Sequence, residues 1–296
     1  MPNYEQILQI KQGKGFIAAL DQSGGSTPKA LGLYGVDESY YTNEDQMYNL
    51  IHAMRARIAT APTFTGDKVI GAILFEMTMN REINGMPSAK YLWEKRRIVP
   101  FLKIDNGLEP ELNGVQIMKK IENLDTKLEH AALCGIFGTK MRSVIHQASK
   151  SGISNLVAQQ FEVSEQINSH GLIPIIEPEI IISISDKVAA ENILKKELLV
   201  CLDELPSDRQ IILKLTLPDI AGTYLNLVNH PRVIRTVALS GGYNQGHANE
   251  KLSKNEGIIA SFSRALTEGL SIKHSDEEFN EIIKQSISSI AYASSN

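Results

Sequence analysis

Eight times along this chain an apolar run of strand length closes on a polar or ionisable residue, and no ninth run follows. The runs fall at 15–21, 69–76, 98–105, 135–142, 172–179, 210–218, 235–240 and 257–264. A continuous run rich in Ile, Leu and Val and bounded by turn residues reads as a strand buried on both faces. Between the runs, apolar residues recur at helical spacing: Met47, Leu50, Ile51, Met54 and Ile58, then Val188, Ile193, Leu194, Leu198 and Leu202, and last Phe279, Ile282, Ile283, Ile287 and Ile290. Helices are expected over 4–12, 43–61 and 155–169, the third with Ser154 as N-cap and Gly171 just past its end. Ser275 and Glu278 have the spacing of a capping box before the final helix, and the short tail beyond it is expected to be mobile.

Strands alternating with helices pair in parallel through right-handed crossovers, so the fold class is α/β. Eight such units in 296 residues, slightly more than the roughly 250 typical of the architecture, predict a closed (β/α)8 TIM barrel. One domain is expected over 1–296, because the 43% hydrophobic content shows no shift that would mark a boundary. A doubly wound open sheet is the competing arrangement. The barrel is preferred because Asp21, Glu76, Lys103, Lys140, Glu177, Lys214, Ser240 and Ser261 finish the eight strands. Closure gathers those ends at one mouth, whereas an open sheet scatters them.

Composition removes several partners. The net charge of −4 comes from interspersed acids and bases and offers no basic field for nucleic acid or an anionic membrane. Apolar runs such as 69–75 are far too short to span a bilayer, and the polar N-terminus lacks a signal-peptide segment. The two cysteines, Cys134 and Cys201, lie far apart, which suits the reducing cytosol. Seven histidines show no ligand cluster, so no metal is expected. A small-molecule substrate remains as the partner, and self-association is left open.

The lysine in the middle of the sixth run is out of place, because lysine is rarely buried without compensation. Burial favours the neutral, nucleophilic amine of Lys214, and a second cation at Lys140, at the end of the fourth strand and near it across the barrel interior, would favour it further. An edge-strand lysine reaching for water is the alternative. An amine attacks a ketone to give a carbinolamine, and loss of water from it needs a proton donor, for which Glu177 is best placed. The resulting iminium accepts the electrons released when a carbon–carbon bond beta to the nitrogen breaks. A structural ion pair between Lys140 and Glu177 or Glu179 is an equally common outcome of such a pattern.

Three lysines inside apolar strands, Lys103, Lys140 and Lys214, call for an anion, and an external phosphate fits. Ser240, Gly241 and Gly242 offer backbone N–H groups, and Ser261 with Arg264 adds a hydroxyl and a guanidinium where barrels often hold phosphate. Lys103, Ser23, Ser26 and Arg142 are candidates for a second phosphate.

These residues carry a family likeness. GKGFIAALDQS at 13–23, FLKID at 101–105, GTKMR at 138–142, PIIEPE at 174–179, Leu213-Lys214, LSGG at 239–242 and SFSRAL at 261–266 make the sequence resemble the class I fructose-1,6-bisphosphate aldolases, most closely their bacterial branch. The resemblance runs along nearly the whole chain. It implies a metal-free lyase that cleaves fructose 1,6-bisphosphate reversibly to dihydroxyacetone phosphate and glyceraldehyde 3-phosphate in glycolysis and gluconeogenesis. By the same resemblance Lys214 is the Schiff-base lysine, Glu177 the general acid/base, Asp21 the carboxylate at the cleaved hydroxyl and Lys140 its assisting cation. Glu179 is implied to support the reactive lysine. Ser240, Gly241, Ser261 and Arg264 are likewise implied to bind the phosphate nearer the ketone, and Lys103 and Arg142 to make other substrate contacts. The sequence departs from animal members at Lys29, which Ala30 follows where they have a second basic residue, and at Tyr292, which four residues follow and to which no catalytic role is assigned. The alternatives are a Schiff-base aldolase for another ketose, such as tagatose 1,6-bisphosphate, and a non-catalytic barrel used as a scaffold.

Overall fold

In a computed structural model that describes residues 3–23 and 25–295, the eight runs form eight parallel strands. Met1, Pro2, the loop residue Gly24 and the terminal Asn296, all touched by the sequence readings, lie outside the described residues. The strands are β1 (Phe16–Leu20), β2 (Val69–Leu74), β3 (Val99–Lys103), β4 (Gly138–Ile145), β5 (Ile173–Ile180), β6 (Ile211–Thr216), β7 (Val233–Leu239) and β8 (Ile258–Ala260). Each pairs with the next in parallel register. The seam between β8 and β1 is bridged where Ala19 N donates to Phe262 O at 3.1 Å, so the sheet curls into a nearly closed barrel of one domain.

Side chains of alternate parity have separate fates, as the two-residue strand period requires. One set, including Leu20, Leu74, Leu102, Met141, Ile176 and Leu213, packs outward against the helices. The other fills the barrel with Ile17, Ala19, Ile73, Phe101, Ile175, Ile212, Val237 and Ile259. Gly138 makes room in that layer, since a Cβ there would stand 3.0 Å from the Phe101 ring and 2.1 Å from Ile173 O. Below, the helix Tyr4–Gln12 closes the N-terminal end: Ile10 joins the interior cluster, and Arg235 donates to Ile10 O at 2.8 Å and Gly13 O at 2.9 Å. Among the described residues no helix is long and apolar enough to cross a membrane.

Several boundaries differ from expectation for identifiable reasons. The fourth strand begins at Gly138 rather than 135, because Gly135 takes φ +84° and ends the preceding helix, with Ile136 N bonded to Ala131 O. It runs on to Ile145 because Val115–Gln116 pairs antiparallel with Val144 and Ile145. The helix expected from 155 starts at Lys150, capped by Ser149 rather than Ser154. Gly152 in its first turn looks like a break, yet it marks a close approach, since a Cβ would lie 2.2 Å from Asn113 O. Val188, placed on an inward face by spacing, is exposed. The capping box forms, with Glu278 N donating to Ser275 Oγ and Ser275 N to Glu278 Oε2. The tail is tied down at Ser294, whose Oγ accepts from Ala260 N at 3.0 Å and donates to Ile290 O at 2.9 Å.

Candidate active site

Lys214 stands two residues beyond the interior Ile212, and the strand period therefore turns its side chain into the barrel above that isoleucine. Glu177 bears the same relation to Ile175, and Asp21 to Ala19. Together with Lys140 from β4 they form one cluster. Lys214 Nζ lies 3.1 Å from Glu177 Oε1, while Lys140 Nζ lies 2.8 Å from Glu177 Oε2 and 2.7 Å from Asp21 Oδ2. The Lys214 side chain is 4% exposed, so its amine is screened from bulk water.

The charges hold one another. Burial by itself pushes the Asp21 carboxyl up, but Lys140, Lys214 and Lys103 reverse this and leave it well below the usual carboxylate range. Burial likewise opposes ionisation of Glu177, and Lys140 and Lys214 again outweigh it, so its net shift is downward. For Lys140 burial disfavours the ammonium, yet Asp21, Glu177 and Asp105 hold it well above the ordinary lysine range. Two expectations are corrected here. Lys140 is neutralised by Asp21 and Glu177 and does not confront Lys214 as a bare repelling cation. The strand lysines also find anions within the chain: half-buried Lys103 pairs with Asp105 at 2.7 Å and donates to its carbonyl.

A pH dependence of stability follows. Asp21 and Glu177 have depressed folded-state values, so their contribution is fully present above the unfolded carboxyl range of about 4 and is lost as pH falls through the folded values. Urea unfolding between pH 6 and pH 3 is expected to lose about 2 kcal/mol to this cluster, and Asp21→Asn to flatten that slope. A slope unchanged by Asp21→Asn would contradict the coupling.

The cluster floors a cavity of ≈ 340 Å³. Its far wall is the turn Ser240-Gly241-Gly242 after β7, with Ser261 and Arg264 beyond β8. Gly241 and Gly242 take φ of +59° and +111°, which favour glycine, and a Cβ on Gly241 would meet Ile182 Cγ2 at 2.8 Å. Ser261 Oγ is buried and has no hydrogen-bond partner among the described residues. Arg264 is exposed, and among the described residues no carboxylate pairs with it.

Other predicted residues divide. Ser26 and Glu179 line the cavity, whereas Ser23, Lys103 and Arg142 do not. Glu179, expected beside Lys214, instead meets Arg142 Nε at 2.5 Å, and Lys103 is spent on Asp105. Ser23 N and Ser26 Oγ are hydrogen bonded to each other at 3.0 Å within the first loop.

Sequence reasoning missed the support behind Asp21. Arg55, 1% exposed, donates to Gln22 O at 2.6 Å, to Gln22 Oε1 at 3.1 Å and to Thr78 Oγ1 at 2.8 Å. Burial pushes its guanidinium down to about 10, partly offset by Asp21. Gln22 Nε2 in turn reaches Ser263 Oγ at 2.7 Å, across the seam of the barrel. Arg55 follows the inward-facing Ile51 by one helical repeat of four, a signal that could have found it.

Comparison with known proteins decides the family. The family model described as fructose-bisphosphate aldolase class-I matches residues 5–252. The class 1 fructose-bisphosphate aldolase of Synechocystis sp. is 54% identical over 293 residues, covering 99% of this chain and 98% of that protein. The chain belongs to the class I fructose-bisphosphate aldolases. A second family member, from Porphyromonas gingivalis, is 52% identical over 292 residues and covers 99% of both chains. Aldolases of this family are lyases of glycolysis. A Plasmodium falciparum fructose-bisphosphate aldolase, solved with TRAP and a small-molecule inhibitor, superposes with a TM-score of 0.77 at 19% identity, over 98% of this chain and 92% of that one. Cgl0159 from Corynebacterium glutamicum superposes at 0.54 with 12% identity, over 98% of this chain and 92% of that one. At those identities the two structures speak for the barrel fold shared with this aldolase.

Proposed function

We propose that this aldolase cleaves fructose 1,6-bisphosphate reversibly, in the cytosol, through a Schiff base on Lys214. The observation that carries the reading is the screened Lys214 amine 3.1 Å from Glu177, in a cavity whose opposite wall presents the side chains of Ser261 and Arg264, which have no partner among the described residues. Glu177 Oε1 takes a proton from the Lys214 ammonium, and the amine adds to C2 of the ketose. Glu177 returns the proton to the carbinolamine hydroxyl, which leaves as water. Asp21, held ionised by Lys140, removes the proton of the C4 hydroxyl. The C3–C4 bond then breaks, its electron pair moves into the iminium to give an enamine, and glyceraldehyde 3-phosphate departs. Protonation at C3 and hydrolysis release dihydroxyacetone phosphate and restore the amine.

Ser240, Gly241, Gly242, Ser261 and Arg264 take the phosphate nearer the ketone in this reading. Lys29, exposed beside Ser26 on the cavity wall, supports a place for the second phosphate. Arg264→Ala is expected to raise KM about 10- to 100-fold with kcat little changed, because a charged contact of about 1.5–3 kcal/mol is lost. An unchanged KM would argue against phosphate at that wall. The reading as a whole is tested by steady-state cleavage with EDTA present. Turnover of fructose 1,6-bisphosphate undiminished by the chelator is expected, and abolition by it would overturn the Schiff-base route.

A further inference from the structure

The two strands that carry Glu177 and Lys214 part company where those residues begin. The ladder between β5 and β6 consists of Ile175 opposite Ile212 and Ile176 opposite Leu213, and it stops one residue short of the reactive pair. On their other sides both strands continue in register: β5 pairs with β4 through Glu177 and Glu179 to Ile180, and β6 pairs with β7 as far as Thr216. The gap between β5 and β6 is therefore local and lies at the level of the chemistry.

Thr216 closes that gap from above. Its Oγ1 accepts a hydrogen bond from Ile180 N at 2.8 Å and donates one to Ile180 O at 2.9 Å, so one hydroxyl replaces the missing ladder rung. Thr216 is buried, and both hydroxyl functions are spent on β5, which leaves it nothing to offer a substrate. By the strand period it lies on the Lys214 face, one step nearer the mouth. Its methyl group is also placed 3.7 Å from where a Cβ on Gly241 would stand, beneath the phosphate turn. Lys187 adds a second tether, donating to Leu217 O at 3.0 Å.

We propose that Thr216 is a positioning residue, a side-chain rung that fixes the separation between Glu177 and Lys214 at the distance proton transfer requires. The proposal rests on the Schiff-base reading above. Without the rung, the two strands bond to each other directly only below the reactive pair, the Lys187 tether to Leu217 coming from the helix that follows β5, and a misplacement near 1 Å costs up to about 100-fold in rate.

The test compares Thr216→Val, Thr216→Ser and Thr216→Ala in the full-length enzyme, with kcat, KM and the rate of borohydride-trappable adduct formation measured on protein shown to be folded by circular dichroism. In Thr216→Val, kcat and the adduct-forming rate are expected to fall together by about 10- to 100-fold while KM stays within about twofold. Thr216→Ser is expected to recover most of the rate. Should Val fail to fold, the Ser and Ala variants, which differ by one hydroxyl and both lack the methyl, carry the comparison: a faster Ser enzyme supports the rung. Equal kcat for Ser and Ala, or a Val enzyme that loses melting temperature alone, would overturn it. A wild-type enzyme that forms no adduct at Lys214 would overturn the Schiff-base reading itself, a result distinguishable from failure of the rung.

Discussion

Lys214→Met is expected to lower kcat for fructose 1,6-bisphosphate by at least about 10⁴-fold, because it deletes the only nucleophile in the account and leaves no covalent route. The protein is expected to stay folded. Methionine fills much of the space of the lysine stem, and Glu177 keeps its contact with Lys140 at 2.8 Å, so no carboxylate is left buried without a cation. Steady-state kinetics with a thermal melt on the same sample separate the two effects. A folded Lys214→Met enzyme retaining more than about one hundredth of the activity would remove the amine from the mechanism.

Glu177→Gln is expected to have the second largest effect. The amide keeps the shape of the side chain and an acceptor, but it cannot take a proton from Lys214 and hand it to the carbinolamine hydroxyl. The expected loss in kcat is about 10²- to 10⁴-fold, with KM for the bisphosphate little changed, since the groups proposed to hold its phosphate lie on the other wall. The substitution also leaves Lys140 and Lys214 facing Asp21 alone among the carboxylates of the cluster, so a lower melting temperature accompanies it. Pre-steady-state measurement of iminium formation locates the damage. A fall in overall turnover without slowing of that step would assign Glu177 another part in the reaction.

Much of the barrel was readable because strands buried on both faces leave an unmistakable trace, and because a charged residue at the end of an apolar run is costly unless closure brings it a partner. Lys214 could be singled out for that reason. Glu177 could be placed beside it and an ion pair with Lys140 weighed, but that Lys140 meets Asp21 and Glu177 at once could not, because this depends on how three separate strands are staggered around the mouth. The same limit explains Glu179, which projects toward Arg142 on β4 rather than toward Lys214 on β6. The strand run begun at 135 and the helix begun at 155 missed their true starts because the sequence does not display that Gly135 makes a left-handed turn or that Gly152 permits a close approach of backbone. Arg55 was hidden for a different reason. On a helix otherwise read by its apolar stripe, a single arginine passes for surface, although its place four residues after Ile51 sets it on the inward face, where it meets the Gln22 carbonyl.

Borohydride reduction in the presence of dihydroxyacetone phosphate, followed by peptide mapping, tests the central claim most directly. One stable adduct, on Lys214, that blocks further turnover is expected. An adduct on Lys140 or another lysine, or no adduct with activity intact, would contradict it.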